Sequence, residues 1–176
     1  MILETERLIV RNLTMSDLED SFEHRGDPDV SRFIGKPLTR EQAKEKLQQS
    51  ILPWNRQENS KLMLAIELKD EQKLIGELMF KFTNVDSQIG EIGYRINKNY
   101  QAKGYAFEAS ASFINYLFKQ VNVHKVSALC LTDNEASWGL MEKLGMKKEG
   151  TLKSHFKVNE QWHDAYIYSV LEEQRK

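Results

Sequence analysis

Six residues in the middle of the chain have the composition of an anion-binding loop. They read Gln101-Ala102-Lys103-Gly104-Tyr105-Ala106 and stand between a strand-like stretch and an amphipathic helix pattern. At a helix N-terminus, unpaired backbone N–H groups and the positive end of the helix dipole attract anions, and small residues let a phosphate approach the backbone. The loop therefore predicts a diphosphate-bearing ligand, whereas the hexapeptide alone also fits an ordinary helix start.

A second strand-to-helix junction lies farther along the chain, at Asn134 and Ser137. The helix pattern that follows ends at Gly145, which suits a C-cap. Asn134 is able to cap this helix through its side-chain oxygen. Two such junctions in this order are much rarer than one, so together they favour a ligand site over two unrelated helix starts.

These motifs resemble the GCN5-related N-acetyltransferase (GNAT) superfamily. Within it, the chain is most similar to the ribosomal-protein alanine acetyltransferases (the RimJ/RimL-type branch), which modify protein N-termini. The resemblance extends nearly from end to end. The segments that carry it are 4–11, 74–76, 91–94, 101–106, 133–137, 143–146 and 166–170.

The resemblance implies acetyl-CoA as cosubstrate and a primary amine as acceptor. It also implies a sheet whose central strands splay apart, so that pantetheine pairs with the backbone of residues 91–96 as an added strand. Gly93 suits a bulge there, and an N–H freed at a bulge would stabilise the oxyanion. The cofactor-binding residues so implied are Ile92, Gly93, Tyr94, Arg95, Ile96, Gln101, Ala102, Lys103, Gly104, Tyr105, Ala106, Asn134 and Ser137.

Acetyl transfer needs a neutral amine, and the α-amine, with a pKa of roughly 8, is only partly neutral at pH 7. Glu91 is the first candidate for the general base, acting through water, and Glu77 is the second. Either residue is alternatively a solvated strand carboxylate. Ser137 resembles the family position that hydrogen-bonds near the acetyl group or the CoA sulfur, and the alternative is an exposed helix serine. Asn134 resembles the position that contacts the pantetheine arm.

The chain departs from the family pattern at two places. Ala102 replaces the usual glycine, while Gly104 and Ala106 keep the closest phosphate positions small, so binding is expected to survive. Trp138-Gly139 replaces a β-branched residue and an arginine. A mid-helix glycine costs up to about 1 kcal/mol, and loss of the arginine would weaken CoA binding.

The acceptor pocket of relatives is lined by the segment that joins the first two helices and by the last hairpin. The resemblance therefore makes Phe33, Trp54, His155 and Trp162 candidates for substrate binding. Aromatic residues such as Trp54 and Trp162 also fit a core role. The four histidines have no metal-ligand spacing and there is one cysteine, so no metal site is predicted.

Two other functions stay open. A small-amine acetyltransferase acting on a polyamine or an aminoglycoside would need clustered carboxylates, which Asp27, Asp29, Glu41 and Glu45 could supply. A CoA-binding module without catalysis would bind acetyl-CoA but release no thiol with any amine.

Composition limits the class of protein. The 176 residues are 40% apolar and carry a net charge of −1, which fits one domain and gives no basic patch for direct nucleic-acid binding. The resemblance implies that this is one N-acetyltransferase domain over 1–176. No apolar run approaches the roughly twenty residues of a membrane helix. With no signal-peptide pattern and a single cysteine, Cys130, we expect a cytoplasmic protein. Homodimers are common among relatives, so a homodimer is also an expectation.

The periodicity of apolar residues predicts an α+β fold with a mixed, mostly antiparallel central sheet of about seven strands, flanked by about four helices. The resemblance implies that this is the GNAT fold, with splayed central strands. Capping boxes at 16–19 and 39–42 start the first two helices. Predicted strands lie at 7–12, 62–68, 74–82, 88–96, 125–131, 147–158 and 165–171, and later helices at 105–120 and 135–144.

Overall fold

The computed structural model describes residues 2–174. One sheet has the spatial order β1-β2-β3-β4-β5-β6-β8-β7. Its central neighbours β5 and β6 run parallel, and the other neighbouring pairs are antiparallel. The strands are β1 (Ile2–Glu4), β2 (Leu8–Asn12), β3 (Lys61–Leu68), β4 (Lys73–Asn84), β5 (Ile89–Ile96), β6 (Lys125–Leu131), β7 (Lys147–Val158) and β8 (Gln161–Leu171).

Helices cover both faces of the sheet. Those named here are α1 (Leu18–Arg25), α2 (Pro28–Ser31), α3 (Arg40–Ser50), α4 (Tyr105–Tyr116) and α5 (Glu135–Lys143). The last turn of α4 continues as a π-helical segment, Leu117–Val121. Because α4 and α5 follow β5 and β6 directly, their first turns lie beside the carboxyl ends of the central strands.

The larger hydrophobic core lies between the sheet and α4. Phe80, Ile92, Phe113, Ile114 and Val126 are all buried there. Phe80 and Ile92 are register partners on adjacent strands, so both side chains point to the same face. A smaller core of Leu13, Leu47, Ala65 and Leu74 lies on the opposite face, under α3.

A cluster of buried charges joins α1 to β4 on that opposite face. Glu77 is 3% exposed, and its carboxylate accepts hydrogen bonds from Arg25 Nε (2.9 Å), Arg25 Nη2 (2.7 Å) and Ser21 Oγ (2.7 Å). His24 Nε2 lies 3.3 Å from the same carboxylate. Burial raises the pKa of Glu77, but the bonds and charges of His24 and Arg25 outweigh burial and hold this pKa well below its usual range.

The elements agree with the sequence-based prediction except at four places. The sheet has eight strands because Ile2–Glu4 pairs with β2, and β8 begins at Gln161. A four-residue helix, α2, follows Asp27, whose side chain caps it. The first capping box uses Thr14 and Asp17 rather than Ser16 and Glu19, whereas the box at Thr39 and Gln42 is confirmed.

Within residues 2–174, none of the helices has both the length and the apolar character that a membrane span requires.

The Glu77 cluster predicts a large stability effect. Glu77→Gln removes the only negative charge of the described cluster and leaves the Arg25 guanidinium buried without a charged partner. We expect the free energy of unfolding, measured by urea titration, to fall by about 3–5 kcal/mol. Because the folded-state pKa is depressed, this stabilisation is complete above roughly pH 4.3 and is lost as the pH falls towards the folded-state pKa.

Glu160→Gln is the matched control, because the Lys157–Glu160 pair is exposed and contributes at most about 1 kcal/mol. Equal losses in the two variants would contradict a structural role for the buried cluster.

Candidate active site

The central strands part after a short paired stretch. β5 and β6 are in register only at Ile89–Lys125, Gly90–Val126 and Glu91–Ser127. The carbonyl of Gln88 accepts hydrogen bonds from the N–H groups of His124 and Lys125 at the start of β6, and the N–H of Asn97 donates to the carbonyl of Ile75 in β4. Because backbone groups alternate sides along a strand, even-numbered residues of β5 face β6. The pairing of Glu91 with Ser127 still uses the Ile92 N–H. Past it, the carbonyl of Ile92 and the backbone groups of Tyr94 face an open gap.

This alternation corrects two expectations. The register of β4 with β5 is continuous from Gly76–Ile96 to Phe82–Gly90, so the bulge expected at Gly93 is not there. Gly93 and Arg95 direct their backbone groups to β4, inside the sheet. Ile96 faces the gap, and its carbonyl accepts from Gln101 Nε2 at 3.0 Å. The gap exists because β6 leaves, and the backbone N–H of Tyr94 points into it.

Residues 101–106 form a turn that delivers the chain into α4. Gly104 is the helix N-cap with φ +83, a left-handed conformation that glycine adopts without strain. Ala102 has φ +60, which costs a residue with a Cβ about 1–2 kcal/mol. The first N–H groups of α4 have no intrahelical acceptor, and Lys103 lies exposed beside them. The loop fits a diphosphate.

Two residues that sequence reasoning missed hold this loop. Arg7 donates to Glu108 (Nε to Oε2, 2.7 Å) and to the carbonyl of Lys103 (3.0 Å). Its guanidinium also lies 4.5 Å from the centre of the Tyr105 ring. A charge pair separated by about a hundred residues of sequence leaves no local pattern, so no signal could have found it.

Asn134 and Ser137 lie on the other side of the gap. Asn134 Oδ1 accepts from the Ser137 N–H at 3.2 Å, so Asn134 caps α5 as its sequence position allows. The Tyr94 hydroxyl reaches across from β5 to Ser137, at 3.0 Å from Oγ and 2.9 Å from the carbonyl oxygen. The three side chains therefore meet at the first turn of α5.

Glu91 and Glu77 have different surroundings. Glu91 is the last β5 residue paired with β6, and its half-buried carboxylate is 3.2 Å from Lys81 Nζ. By alternation its side chain lies on the face opposite Tyr94. Glu77 shares that face, but Arg25 and Ser21 occupy its oxygens and its pKa is depressed. A buried carboxylate with a low pKa is a poor base at pH 7, so the geometry argues against Glu77.

A cavity of about 260 Å³ opens on the Glu91 face, where β6 ends. Segments that are distant in sequence supply its lining: the stretch after α2, the turn between β6 and α5, and the β7–β8 hairpin. The residues that line it are Arg32, Phe33, Leu131, Asp133, Val158, Asn159, Gln161 and His163. One lining residue, Asp133, directly precedes Asn134, the cap of α5, in the chain.

Of the four expected acceptor-site residues, only Phe33 lines this cavity. Trp54 stacks on Phe82 at 5.8 Å and donates its indole N–H to the Ser60 carbonyl, in the core. Trp162 is 64% exposed, and His155 is exposed beside Phe156. Successive strand residues point to opposite faces, so His163 lines the cavity where Trp162 was expected.

Over the described range 2–174, no group of three or more His, Cys, Asp or Glu side chains is placed to hold a metal ion.

Comparison with known proteins agrees with this geometry. The acetyltransferase (GNAT) domain model matches residues 7–147. The N-acetyltransferase YnaD of Bacillus subtilis is 34% identical over 99% of both chains. A GNAT-family acetyltransferase from Bacillus anthracis has a TM-score of 0.89 and 30% identity, covering 98% of this chain and 99% of its own.

The ribosomal-protein-S5-alanine acetyltransferase of Vibrio fischeri has a TM-score of 0.82 at 25% identity, covering 100% of this chain and 99% of its own. Solved neighbours of the same fold hold acetyl-CoA or coenzyme A. Acetyl-CoA is the cosubstrate of this family, and the turn at 101–106 and the gap beside β5 suit it. The chain belongs to the GNAT family of N-acetyltransferases.

Proposed function

We propose that the protein transfers an acetyl group from acetyl-CoA to the N-terminal α-amine of a protein or peptide. The observation that carries this proposal is the charge of the cavity beside the gap, which has one carboxylate (Asp133) and one guanidinium (Arg32). Its volume, about 260 Å³, lies below the usual range of drug-sized sites. It suits the first residue or two of a chain, with an ammonium beside Asp133.

Relatives support the same acceptor class. The ribosomal-protein uS5-alanine N-acetyltransferase of Escherichia coli is 33% identical over 57% of this chain. The Vibrio fischeri structure described above has a similar name. An acceptor peptide that begins with alanine is therefore the first choice for an assay.

In the proposed reaction, the backbone N–H of Tyr94, which points into the gap, stabilises negative charge on the carbonyl oxygen. Glu91 takes the ammonium proton through a water molecule, after its carboxylate separates from Lys81. Ser137 donates a hydrogen bond to the departing sulfur. An α-amine, with a pKa of roughly 8, gives up this proton more easily than a lysine side chain near 10.4.

The charges around the site favour a peptide over a polycation. Asp27 is 2.6 Å from Lys98 Nζ, and Asp29 is 3.8 Å from the same atom. Glu41 and Glu45 are exposed on α3, and the cavity lining has neither of them. A polyamine or an aminoglycoside would meet one carboxylate and one opposing guanidinium in the cavity.

Other expectations stay predictions. They are a single catalytic domain over 1–176, a cytoplasmic location, and a homodimer.

The function is tested by thiol release from acetyl-CoA. We expect release with a short peptide that begins with alanine and lacks lysine, and none with the same peptide acetylated at its N-terminus. Spermidine, run in parallel, represents the polycationic acceptors. Release with spermidine but not with the free peptide would contradict the proposal, and so would acetyl-CoA binding without release on any amine.

Asp133→Asn should weaken peptide binding. Loss of a charge-assisted hydrogen bond to the ammonium costs about 1.5–3 kcal/mol, so the peptide KM should rise about tenfold to a hundredfold while the acetyl-CoA Kd stays the same. Steady-state kinetics and acetyl-CoA titration measure the two. Glu135→Gln removes a neighbouring exposed charge outside the cavity lining. An equal change of the peptide KM in both variants would contradict a direct contact between Asp133 and the ammonium, because any negative charge nearby would then have the same effect.

Glu91→Gln should lower kcat by about 10²–10⁴-fold, the usual contribution of a general base, without changing the acetyl-CoA Kd. The matched control is Glu67→Gln. Glu67 is a strand carboxylate of similar exposure, ion-paired with Arg11, on β3 and away from the gap. A kcat for Glu91→Gln within twofold of that of Glu67→Gln would remove Glu91 as the base.

A further inference from the structure

Tyr94 makes a contact that neither the loop nor the acceptor cavity explains. It is the β5 residue whose backbone faces the gap, and its side chain bridges the gap to the first turn of α5. There its hydroxyl lies within hydrogen-bond distance of both the hydroxyl and the carbonyl oxygen of Ser137.

The phenol has one proton and two acceptors at Ser137, so two arrangements exist. If the phenol donates to the Ser137 carbonyl, its oxygen accepts the Ser137 proton, and that proton points away from the gap. If the phenol donates to Oγ, the Ser137 proton is free to turn towards a ligand in the gap. Tyr94 therefore controls which way the serine hydroxyl points.

The phenol is not itself the proton source for the leaving group. Burial raises the pKa of Tyr94 to about 12, although the Ser137 hydroxyl beside it acts in the opposite direction. A thiol has a pKa of roughly 8.5, so proton transfer from Tyr94 to a departing thiolate is uphill by more than three units. Tyr94 keeps its proton and acts through hydrogen bonding alone.

In the structure the phenol donates to the Ser137 carbonyl at 2.9 Å and lies 3.0 Å from Oγ. We infer that Tyr94 is a positioning residue for acetyl transfer: it holds Ser137 at the gap, and when the thioester lies there its phenol donates to Ser137 Oγ and leaves the serine proton to the departing sulfur. This inference rests on the proposed role of Ser137. The amine nitrogen forms the new N–C bond, and its proton goes through water to Glu91. The C–S bond breaks with its electron pair on sulfur, which accepts the Ser137 hydrogen bond and then takes a proton from solvent.

The contact also separates Ser137 from a competitor. Cys130 on β6 is 6% exposed, and burial raises the pKa of its thiol while the nearby Ser137 hydroxyl lowers it. A serine hydroxyl that turned towards Cys130 would be lost to the reaction. The contact of the Ser137 hydroxyl with the Tyr94 phenol competes with this one.

The test is a double-mutant cycle of Tyr94→Phe and Ser137→Ala. The ring of Tyr94 packs against the main core and phenylalanine keeps that ring, so the variant should fold. We expect kcat to fall about tenfold in Tyr94→Phe and about a hundredfold in Ser137→Ala. The double variant should equal Ser137→Ala, because without the serine hydroxyl the phenol has nothing to orient. The acetyl-CoA Kd should not change in Tyr94→Phe.

Tyr168→Phe is the matched control. Its hydroxyl also donates to α5, at 3.0 Å from Glu142, but it does not approach Ser137. We expect a similar change in melting temperature for the two phenylalanine variants and a loss of kcat in Tyr94→Phe alone. An additive double variant, an equal loss of kcat in Tyr168→Phe, or an unchanged kcat in Tyr94→Phe would overturn the inference.

The cycle is run on amine-dependent thiol release and again on the slow hydrolysis of acetyl-CoA without an amine, because both reactions share the leaving sulfur. If the double variant equals Ser137→Ala in the hydrolysis reaction, the inference is supported even when the peptide is not acetylated. In that case only the proposed α-amine acceptor is rejected. An unchanged kcat in Ser137→Ala would overturn both the inference and the role of Ser137.

Discussion

β5 loses its parallel neighbour after Glu91, and the rest of the site depends on this parting. Unpaired backbone groups inside a protein cost about 1–3 kcal/mol each. The carbonyl of Ile92 and both the N–H and the carbonyl of Tyr94 face the gap without a strand partner. A ligand with amides of its own would restore the lost pairing, as an added strand does. The same geometry exposes an N–H group where carbonyl charge would develop.

The gap keeps its shape because the strands beside it are tied to helices. Glu77 anchors β4, the antiparallel neighbour of β5, to α1 through the Arg25 pair and Ser21. Across the gap, the Tyr94 hydroxyl joins β5 to α5, the helix that follows β6. Arg7 fixes the turn before α4 through Glu108. Residues that these contacts already hold in place lose little conformational entropy when a ligand binds. More of the interaction energy is therefore available for affinity and orientation.

The sequence predicted what local patterns encode. Residues 101–106, the Asn134 cap and the Thr39 capping box follow from short-range rules and are present. Local patterns did not predict which side chains are buried or on which face of the sheet they lie. Nothing beside Glu77 in sequence shows that Arg25 will cover it, and a shift of one residue exchanges His163 for Trp162 at the cavity. Such properties depend on strand register and on partners far away along the chain.

Successive side chains of β5 point to opposite faces of the sheet, and this alternation gives neighbouring residues different roles in the proposed reaction. The Glu91 side chain points to the face of the cavity, where the amine would enter. The backbone N–H of Tyr94 points into the gap, where the carbonyl oxygen would lie. The Tyr94 side chain points to the opposite face, towards Ser137 and the sulfur. Attack and departure occur on different sides of the carbonyl carbon. One alternating strand therefore places a base, an oxyanion donor and a leaving-group contact within four residues.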